Sequence, residues 1–398
     1  MASQQLTPET LQDENEIIES YDSFDSMDLD ENILRGIYAY GFERPSAIQK
    51  IAIVPILKGN DVIAQAQSGT GKTGTFTISI LGKINFKMLE PQALIIVPVR
   101  ELALQIANVI EQIGSYCDAK VYCCIGGQDV RGDEEALRRG KHVIVGTPGR
   151  IYHMIKNGSI SLNNIKLLII DEADAMLEKG FKAQLYEIFK MGFPEAMQIA
   201  LFSATLTPQT LDIADKFMRK PLKIQVKKEE VNLAGIQQYK INMSKDEHKF
   251  ATLLDLYKFI SVKQAIIYCN NKNKVVSLAA ELTDHKLSMT FMHGEMTQEE
   301  RNKIMGDFRL GTFRILITTD LLARGIDIQQ ISLVINYDIP MNRENYIHRI
   351  GRTGRYGRKG IALNFITDRD AAQVADIESF YAISIAELPA NINGIFDV

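Results

Sequence analysis

No apolar run in this 398-residue chain approaches the roughly 18–20 residues that a membrane-spanning helix needs. No hydrophobic signal segment opens it either. Cysteine is scarce. Cys117, Cys123, Cys124 and Cys269 are the four present, and no two stand in C-x-x-C spacing. That excludes a disulfide framework and the usual zinc spacings, and leaves reduced thiols in a cytosolic or nuclear protein. Five of the six histidines (His142, His153, His248, His285 and His293) are scattered without metal-ligand spacing. Basic residues are missing altogether from the first 34 positions, which hold ten acids. Taking those ten from the chain's 49 acids leaves 39 against 45 bases, a balance of +6 for the body. A net charge of −4 therefore does not exclude a nucleic-acid partner; it hides a mildly basic body behind an acidic arm. Low-complexity repeats are absent, and the length suits two or three domains.

What is present is organised around Asp61-Val-Ile-Ala-Gln-Ala-Gln-Ser-Gly-Thr-Gly-Lys-Thr73. Asp61 to Ala66 reads as a short buried strand, and Phe76, Ile78, Ile80 and Leu81 read as a partly buried helix from Thr73 onward. The turn between them, Gln67-Ser68-Gly69-Thr70-Gly71, is built of small residues whose N–H groups can surround a phosphate at a helix N-terminus. Lys72 then reaches the β/γ-phosphates, and the Thr73 hydroxyl is placed to ligate Mg²⁺. Ala66 stands where the strict template has Gly. An ordinary Gly-Lys-Thr turn is the bland alternative, opposed by the strand and helix that flank it.

Near-continuous apolar runs alternate with helical segments through the first half: Ala93–Val97, Val121–Ile125, His142–Val145, Lys166–Ile170 and Gln198–Phe202. The helical pattern that precedes the loop starts at Phe24 and ends near Gly41-Phe42, and Pro45-Ser-Ala-Ile-Gln49 opens the next helix. This alternation predicts an α/β domain with a parallel sheet covered on both faces and function at the carboxyl ends of its strands. There stands Asp171-Glu-Ala-Asp174. Asp171 suits a Mg²⁺ ligand acting partly through water, and Glu172 suits the group that orients and deprotonates an attacking water. The alternative, that these acids merely open a helix, is weak beside a phosphate loop. Ser203 and Thr205 can join the Asp174 cluster or cap the helix before Pro208.

Around Lys223–Gln237 the pattern loosens, after which Ala265–Tyr268, Met289–Met292, Arg314–Thr318, Leu333–Asn336 and Gly360–Phe365 repeat the rhythm. The reading is an arm over 1–22, an N-terminal domain over 23–225, a linker over 226–235 and a second domain over 236–398. After Tyr268, where a second phosphate loop is expected, no glycine occurs. The second half offers Arg349, Arg352, Arg355 and Arg358, three apart and interleaved with glycines that disfavour a helix by roughly 1 kcal/mol each. Arg352 and Arg355 on a structured loop fit arginine fingers for a γ-phosphoryl group; a basic targeting patch or plain RNA-phosphate binding is the alternative. Thr318–Asp327 follows a strand, so Asp327 suits a ribose and Thr319 a nucleic-acid phosphate.

Together, Gly41-Phe…Pro45-Ser-Ala-Ile-Gln49, Ala66–Thr73, Pro98-Val-Arg-Glu-Leu-Ala103, Gly126-Gly127, Thr147-Pro-Gly-Arg150, Asp171–Asp174, Ser203–Thr205, Gln298–Arg301, Thr318–Asp327 and His348–Arg355 resemble the motifs of the DEAD-box RNA helicases, in family order, over about residues 20–398. The resemblance implies two tandem RecA-like domains and an RNA-dependent ATPase that uses ATP and Mg²⁺. It implies that Gln49 reads the adenine edge, Phe24 packs on the base and His348 links to the carboxylate cluster. It also implies an RNA track through Pro98, Arg100, Gly126, Gly127, Thr147, Arg150, Arg301, Thr319 and Arg324. Glycine N–H groups and arginines of this kind hold phosphates and 2′-hydroxyls of single-stranded or duplex RNA without reading bases. The likeness is nearest the initiation-factor branch, which implies a cytoplasmic monomer working with a scaffold protein of the cap-binding complex. A nuclear, ATP-gated RNA clamp of the exon-junction or pre-rRNA type is the rival, and a regulatory ATPase without RNA a further one. Val99 and Ala175 depart from the family pattern, which has Thr and, in that branch, Glu; Met191–Pro194 departs from its Pro-rich turn.

Overall fold

The computed structural model describes residues 19–66, 69–127, 129–178, 180–225, 235–258, 264–320, 331–353, 360–389 and 395. The chain divides into two compact units, Met1–Glu230 and Val231–Val398. The expected linker lies outside the described residues except for Gly235.

In the first unit the strands are β1 (Val62–Gln65), β2 (Ala93–Ile96), β3 (Val121–Cys124), β4 (Val143–Gly146), β5 (Leu167–Asp171), β6 (Gln198–Ser203) and β7 (Leu222–Gln225). They form one sheet in the order β3-β4-β2-β5-β6-β1-β7, and every pairing is parallel. Alternate residues of each strand feed opposite cores: Val62, Ala64, Ala93 and Ile95 on one face, Ile63, Leu94 and Ile96 on the other. Each such buried Ile or Leu is worth roughly 1.5–3 kcal/mol, so double-sided burial is what makes these runs continuously apolar. Asp61 staples the amino edge, its carboxylate accepting the N–H groups of Ile199 (2.8 Å) and Arg219 (2.7 Å).

Three details differ from the sequence reading. The helical pattern from Phe24 is broken: Phe24–Met27 is a 3-10 turn that ends at Asp28 in the left-handed conformation (φ 55°). The helix proper is Glu31–Ala39, capped by Asp30, whose carboxylate accepts the N–H of Asn32 at 2.8 Å. Pro45 stands just outside the next helix, Ala47–Leu57. The end of the acidic arm is also tied down, with the Tyr21 N–H donating to the Lys50 carbonyl and Asp22 paired with Lys50.

The second unit holds β8 (Ile236–Asn242), β9 (Gln264–Tyr268), β10 (Met289–Met292), β11 (Ile315–Thr318), β12 (Ile331–Asn336), β13 (Gly360–Ile366) and β14 (Ala386–Glu387). Their order, β10-β11-β9-β12-β13-β8-β14, reproduces that of the first sheet strand for strand. The match corrects one expectation. The counterpart of β1 is β8, not β9, so a second phosphate loop would follow Asn242 rather than Tyr268. Met243-Ser-Lys-Asp-Glu-His248 occupies that slot, and it too lacks glycine. Strand β8 escaped notice because Gln237, Gln238 and Lys240 interrupt its apolar pattern. No helix among the described residues is long and apolar enough to cross a membrane.

Candidate nucleotide and RNA site

The motifs of the first unit collect at the carboxyl edge of its sheet, because parallel strands all point the same way. Strand order divides that edge in two. The phosphate loop, Asp171 and Ser203 follow the neighbours β1, β5 and β6, whereas Arg100, Gly126 and Thr147 follow β2, β3 and β4.

The phosphate loop turns on Gly69 (φ 87°) and Gly71 (φ 105°), backbone conformations that a side chain opposes. At Gly71 a Cβ would come within 2.5 Å of the Ser46 hydroxyl. Gln67 and Ser68 lie outside the described residues; Ala66, Thr70 and Thr73 flank the turn, with the Ala66 N–H bonded to the Ser203 carbonyl. Lys72 opens the helix Lys72–Lys83 and is buried, its ammonium donating to Glu172 at 3.1 Å. Burial pulls the Lys72 pKa down, but the carboxylates of Glu172, Asp171 and Asp174 more than offset this and raise it. Burial likewise pushes Asp171 up to about 7, with Lys72 opposing.

Asp171, Glu172 and Asp174 are each no more than 2% exposed, and among the described residues Lys72 is the buried ammonium beside them. Such a donor set is short of positive charge. Among the described residues no three acids, histidines or cysteines converge as a closed metal cage. A hard cation held by Asp171 and Thr73, with the rest of its shell from phosphate and water, fits the residues present. Glu172 itself sits at φ 53°, a sparsely populated conformation for a residue with a side chain. The hydroxyls expected beside Asp174 are there. Thr205 donates to its carboxylate at 3.0 Å, and Ser203 accepts its backbone N–H at 3.3 Å while donating to the Thr205 carbonyl. The capping role falls instead to Thr207, which accepts the Thr210 N–H ahead of the helix Pro208–Phe217.

At the adenine side, Gln49 is buried. Its amide oxygen accepts the Ser46 N–H at 2.8 Å, and its amide nitrogen donates to the Gly71 carbonyl at 3.2 Å. One N–H and one lone pair of the amide remain for a ligand. Phe24 departs from expectation: it is fully enclosed, with Tyr38 edge-on and Phe42 stacked at 6.5 Å. A ring inside the core cannot also face a base. The half-buried aromatic beside Gln49 is Phe42, and a Cβ at Gly74 would meet both, at 2.9 Å and 2.5 Å. The signal for it was in the sequence, an aromatic residue three positions before Pro45-Ser-Ala-Ile-Gln49.

Along the other half of the edge, the Arg100 guanidinium lies 3.1 Å from where a Gly126 side chain would begin. Gly127 is exposed at φ 85° and Thr147 precedes the helix Pro148–Lys156. Pro98 is buried. Arg150 donates to Asp133 at 2.5 Å, and Tyr122 donates to the same carboxylate, so much of its charge is already balanced. Val99 is the N-terminal cap of the helix Arg100–Ile113, without a side-chain cap bond, and Ala175 is enclosed.

In the second unit, His348 and Arg349 belong to the last turn of the helix Arg343–Ile350, not to a loop. Arg349 is wholly buried. It donates to Asp320 (2.5 Å), Asn336 (3.2 Å), the Asp338 carbonyl (2.7 Å) and Asn270 (2.8 Å), and lies over the Tyr268 ring. That assigns it to the core. Arg352 is buried just beyond, its Nε donating to the His348 carbonyl at 3.0 Å. Arg301 is buried on the helix Gln298–Arg309 and Thr319 is half-buried after β11. Arg324, Asp327 and Arg355 lie outside the described residues. Unforeseen was a lysine–carboxylate square where the first unit has Lys72 and Asp171. Lys249 and Lys274 each bridge Asp246 and Asp338, with N–O distances of 2.6–3.1 Å.

Comparison with known proteins decides the family. Residues 46–213 match the DEAD/DEAH box helicase model, and residues 248–357 match the helicase conserved C-terminal domain. The chain belongs to the DEAD-box helicases. It is 54% identical to the ATP-dependent RNA helicase eIF4A of Eremothecium gossypii over 387 residues, 96% of this chain and 98% of that one. It is 53% identical to eukaryotic initiation factor 4A of Caenorhabditis elegans, over 93% of this chain and 92% of that one. Among solved structures it is similar to Dbp5 of S. cerevisiae bound to RNA and ADP BeF3 (TM-score 0.87, 33% identity, 94% of this chain and 97% of that one). It is also similar to Mss116p bound to ssRNA and AMP-PNP (TM-score 0.84, 28% identity, 96% and 80%). The paired seven-stranded sheets of this DEAD-box protein are thus tandem RecA-like domains.

Proposed function

We infer that this DEAD-box protein is an ATP-dependent RNA helicase that separates short duplexes locally during translation initiation. The observation that carries the chemistry is the buried Lys72–Glu172 pair with Asp171 beside it and the Ser203–Thr205 hydroxyls on Asp174. Relatives over nearly the full length are named as RNA helicase and initiation factor, which favours this reading over an RNA clamp.

Lys72 is paired with Glu172. A phosphate at the loop competes for that ammonium, and the carboxylate it gives up becomes the base that orients water and takes its proton. Asp171 and Thr73 would hold Mg²⁺ with the phosphates, and the ion would supply charge neutralisation at the leaving and transferred groups. Gln49 reads the adenine edge, with Phe42 rather than Phe24 as its aromatic neighbour, and Asp327 takes the ribose. Arg352 and Arg355 supply the cations that stabilise the γ-phosphoryl group, each such arginine being worth about 10³–10⁵ in rate. His348 links them to the carboxylate cluster. RNA runs along Arg100, Gly126, Gly127 and Thr147 in one unit and Arg301, Thr319 and Arg324 in the other, gripped by backbone and charge without base readout. A monomer working in the cytoplasm with a scaffold of the cap-binding complex completes the reading.

RNA-stimulated ATPase and unwinding of a short duplex test it. Lys72→Ala, Glu172→Gln and Arg355→Ala should each lose both activities; near-wild-type turnover in all three would remove the basis of the assignment.

A further inference from the structure

Strand β3 stands at the edge of the first sheet, paired with β4 alone, yet its exit carries Gly126 and Gly127. Those glycines lead toward the helix Val130–Arg138, which has little apolar anchorage: Leu137 is its one buried apolar residue, and Val130 is half-buried. The neighbouring strand β4 leads through Thr147 into the helix Pro148–Lys156. Backbone bonding between the two exits is stretched, the Thr147 N–H reaching the Cys124 carbonyl at 3.4 Å. Something other than the sheet ladder and the apolar core must hold these two turns together.

The most buried residue of the helix Val130–Arg138 is an acid. Asp133 is 1% exposed, a costly position for a carboxylate unless it is paired and hydrogen-bonded. Both of its oxygens are used. Oδ1 accepts the Tyr122 hydroxyl of β3 at 2.6 Å, and Oδ2 accepts the Arg150 guanidinium of the helix Pro148–Lys156 at 2.5 Å. One carboxylate therefore ties an edge strand and the two helices that follow the turns. Burial and the Asp133 carboxylate push the pKa of the Tyr122 hydroxyl up, so it stays protonated and donating. At the far end of the same pair of helices, Asn157 donates to Glu134 at 3.2 Å.

We propose that Asp133 is a positioning residue of the RNA track: by holding Tyr122 and Arg150 at once, it sets the spacing between the Gly126-Gly127 turn and the Thr147 turn. The inference rests on the function proposed above, in which both turns hold the RNA backbone. Backbone N–H donors cannot swing to follow a displaced phosphate, so the interval between the turns has to match the RNA before it arrives. The sign of the effect separates positioning from plain electrostatics. An acid beside a polyanion opposes binding, so removing one that only cancels charge tightens RNA. Removing one that positions the turns weakens it.

The test uses the full-length protein and a fluorescently labelled single-stranded oligouridine. Anisotropy at fixed salt with a non-hydrolysable ATP analogue gives RNA affinity, and ATPase assays give the RNA concentration for half-maximal stimulation. Asp133→Asn should weaken binding and raise that concentration about tenfold, and Tyr122→Phe about threefold, with kcat at saturating RNA unchanged in both. Glu134→Gln takes the same charge from the next residue of the same helix and should leave RNA affinity within about twofold of wild type. Wild-type ADP affinity in all three verifies the fold. Where Asp133→Asn fails to fold with Arg150 left buried, Tyr122→Phe, which keeps the ion pair, decides the matter. Unchanged RNA affinity in Tyr122→Phe, tighter binding by Asp133→Asn, a loss equalled by Glu134→Gln, or a fall in kcat without a change in RNA affinity would each overturn the proposal. A wild-type chain that bound no RNA would remove the function proposed above as well, whereas wild-type affinity with unaffected variants would remove this inference alone.

Discussion

Burial makes Asp171 a reluctant anion, and that reluctance has a measurable consequence. Its pKa is raised to about 7, so the fold holds the proton more tightly than the unfolded chain does. The stabilisation from that proton is complete below the ordinary carboxylate pKa and is lost as pH rises toward 7. A cation site needs the ionised form. Mg²⁺–ADP should therefore bind more tightly at about pH 8 than at about pH 6, releasing a proton at the lower pH. Calorimetry in two buffers of different ionisation enthalpy checks this. Asp171→Asn should abolish the proton release, and an unchanged release in that variant would show that another group titrates. Phe24 marks the limit of reading residues singly. It and Phe42 are both aromatic and lie on either side of the helix Glu31–Ala39, and only packing distinguishes the enclosed ring from the half-exposed one.

Elements record a different kind of economy. The helix Arg100–Ile113 begins at Val99, a residue with no side chain to accept the exposed N–H groups of its first turn. Val99→Thr should raise stability by about 1 kcal/mol in urea unfolding, since Thr caps and Val does not. No gain would mean that the buried methyls of Val99 already contribute as much as a cap. Gly36 gives the opposite case. A Cβ there would stand 1.8 Å from the Ile113 carbonyl, so the helix Glu31–Ala39 touches backbone directly. Gly36→Ala should lower stability by about 1–3 kcal/mol, as overpacking does, without altering nucleotide affinity in the folded fraction. Strands β1 to β6 of the first unit were legible in the sequence, five of them because burial on both faces forces continuous apolar runs and the edge strand β3 because Val121 and Cys124 are buried. Strand β8 was not, because β14 leaves it near the sheet margin and tolerates Gln237 and Lys240. The break at Asp28 was invisible for a similar reason: apolar spacing continues through it while the backbone does not.

At the scale of the whole molecule, two sheets of one topology carry unequal chemistry. Strand counting along the sequence paired β9 with β1, and the sheet order shows that β8 holds that place. In the corrected register the comparison sharpens. Lys72 faces carboxylates with phosphate-binding glycines beside it, whereas Lys249 is closed off between Asp246 and Asp338 with no glycine in the loop. An internal aspartate thus holds Lys249, the lysine that corresponds in position to Lys72, and the loop before it has no glycine to admit a phosphate. On the function proposed above, the second unit's contribution to hydrolysis is the pair Arg352 and Arg355. The first unit has its own sheet and two cores, which is what a separately folding domain needs. Residues 1–230 alone should therefore bind ADP within about tenfold of the full chain, because every phosphate contact is local. Their ATPase should fall by about 10³ or more and ignore RNA, since the arginines are gone. Equal rates for fragment and full chain, with RNA indifferent to both, would place the complete catalytic machinery in the first unit and leave the second without a chemical role.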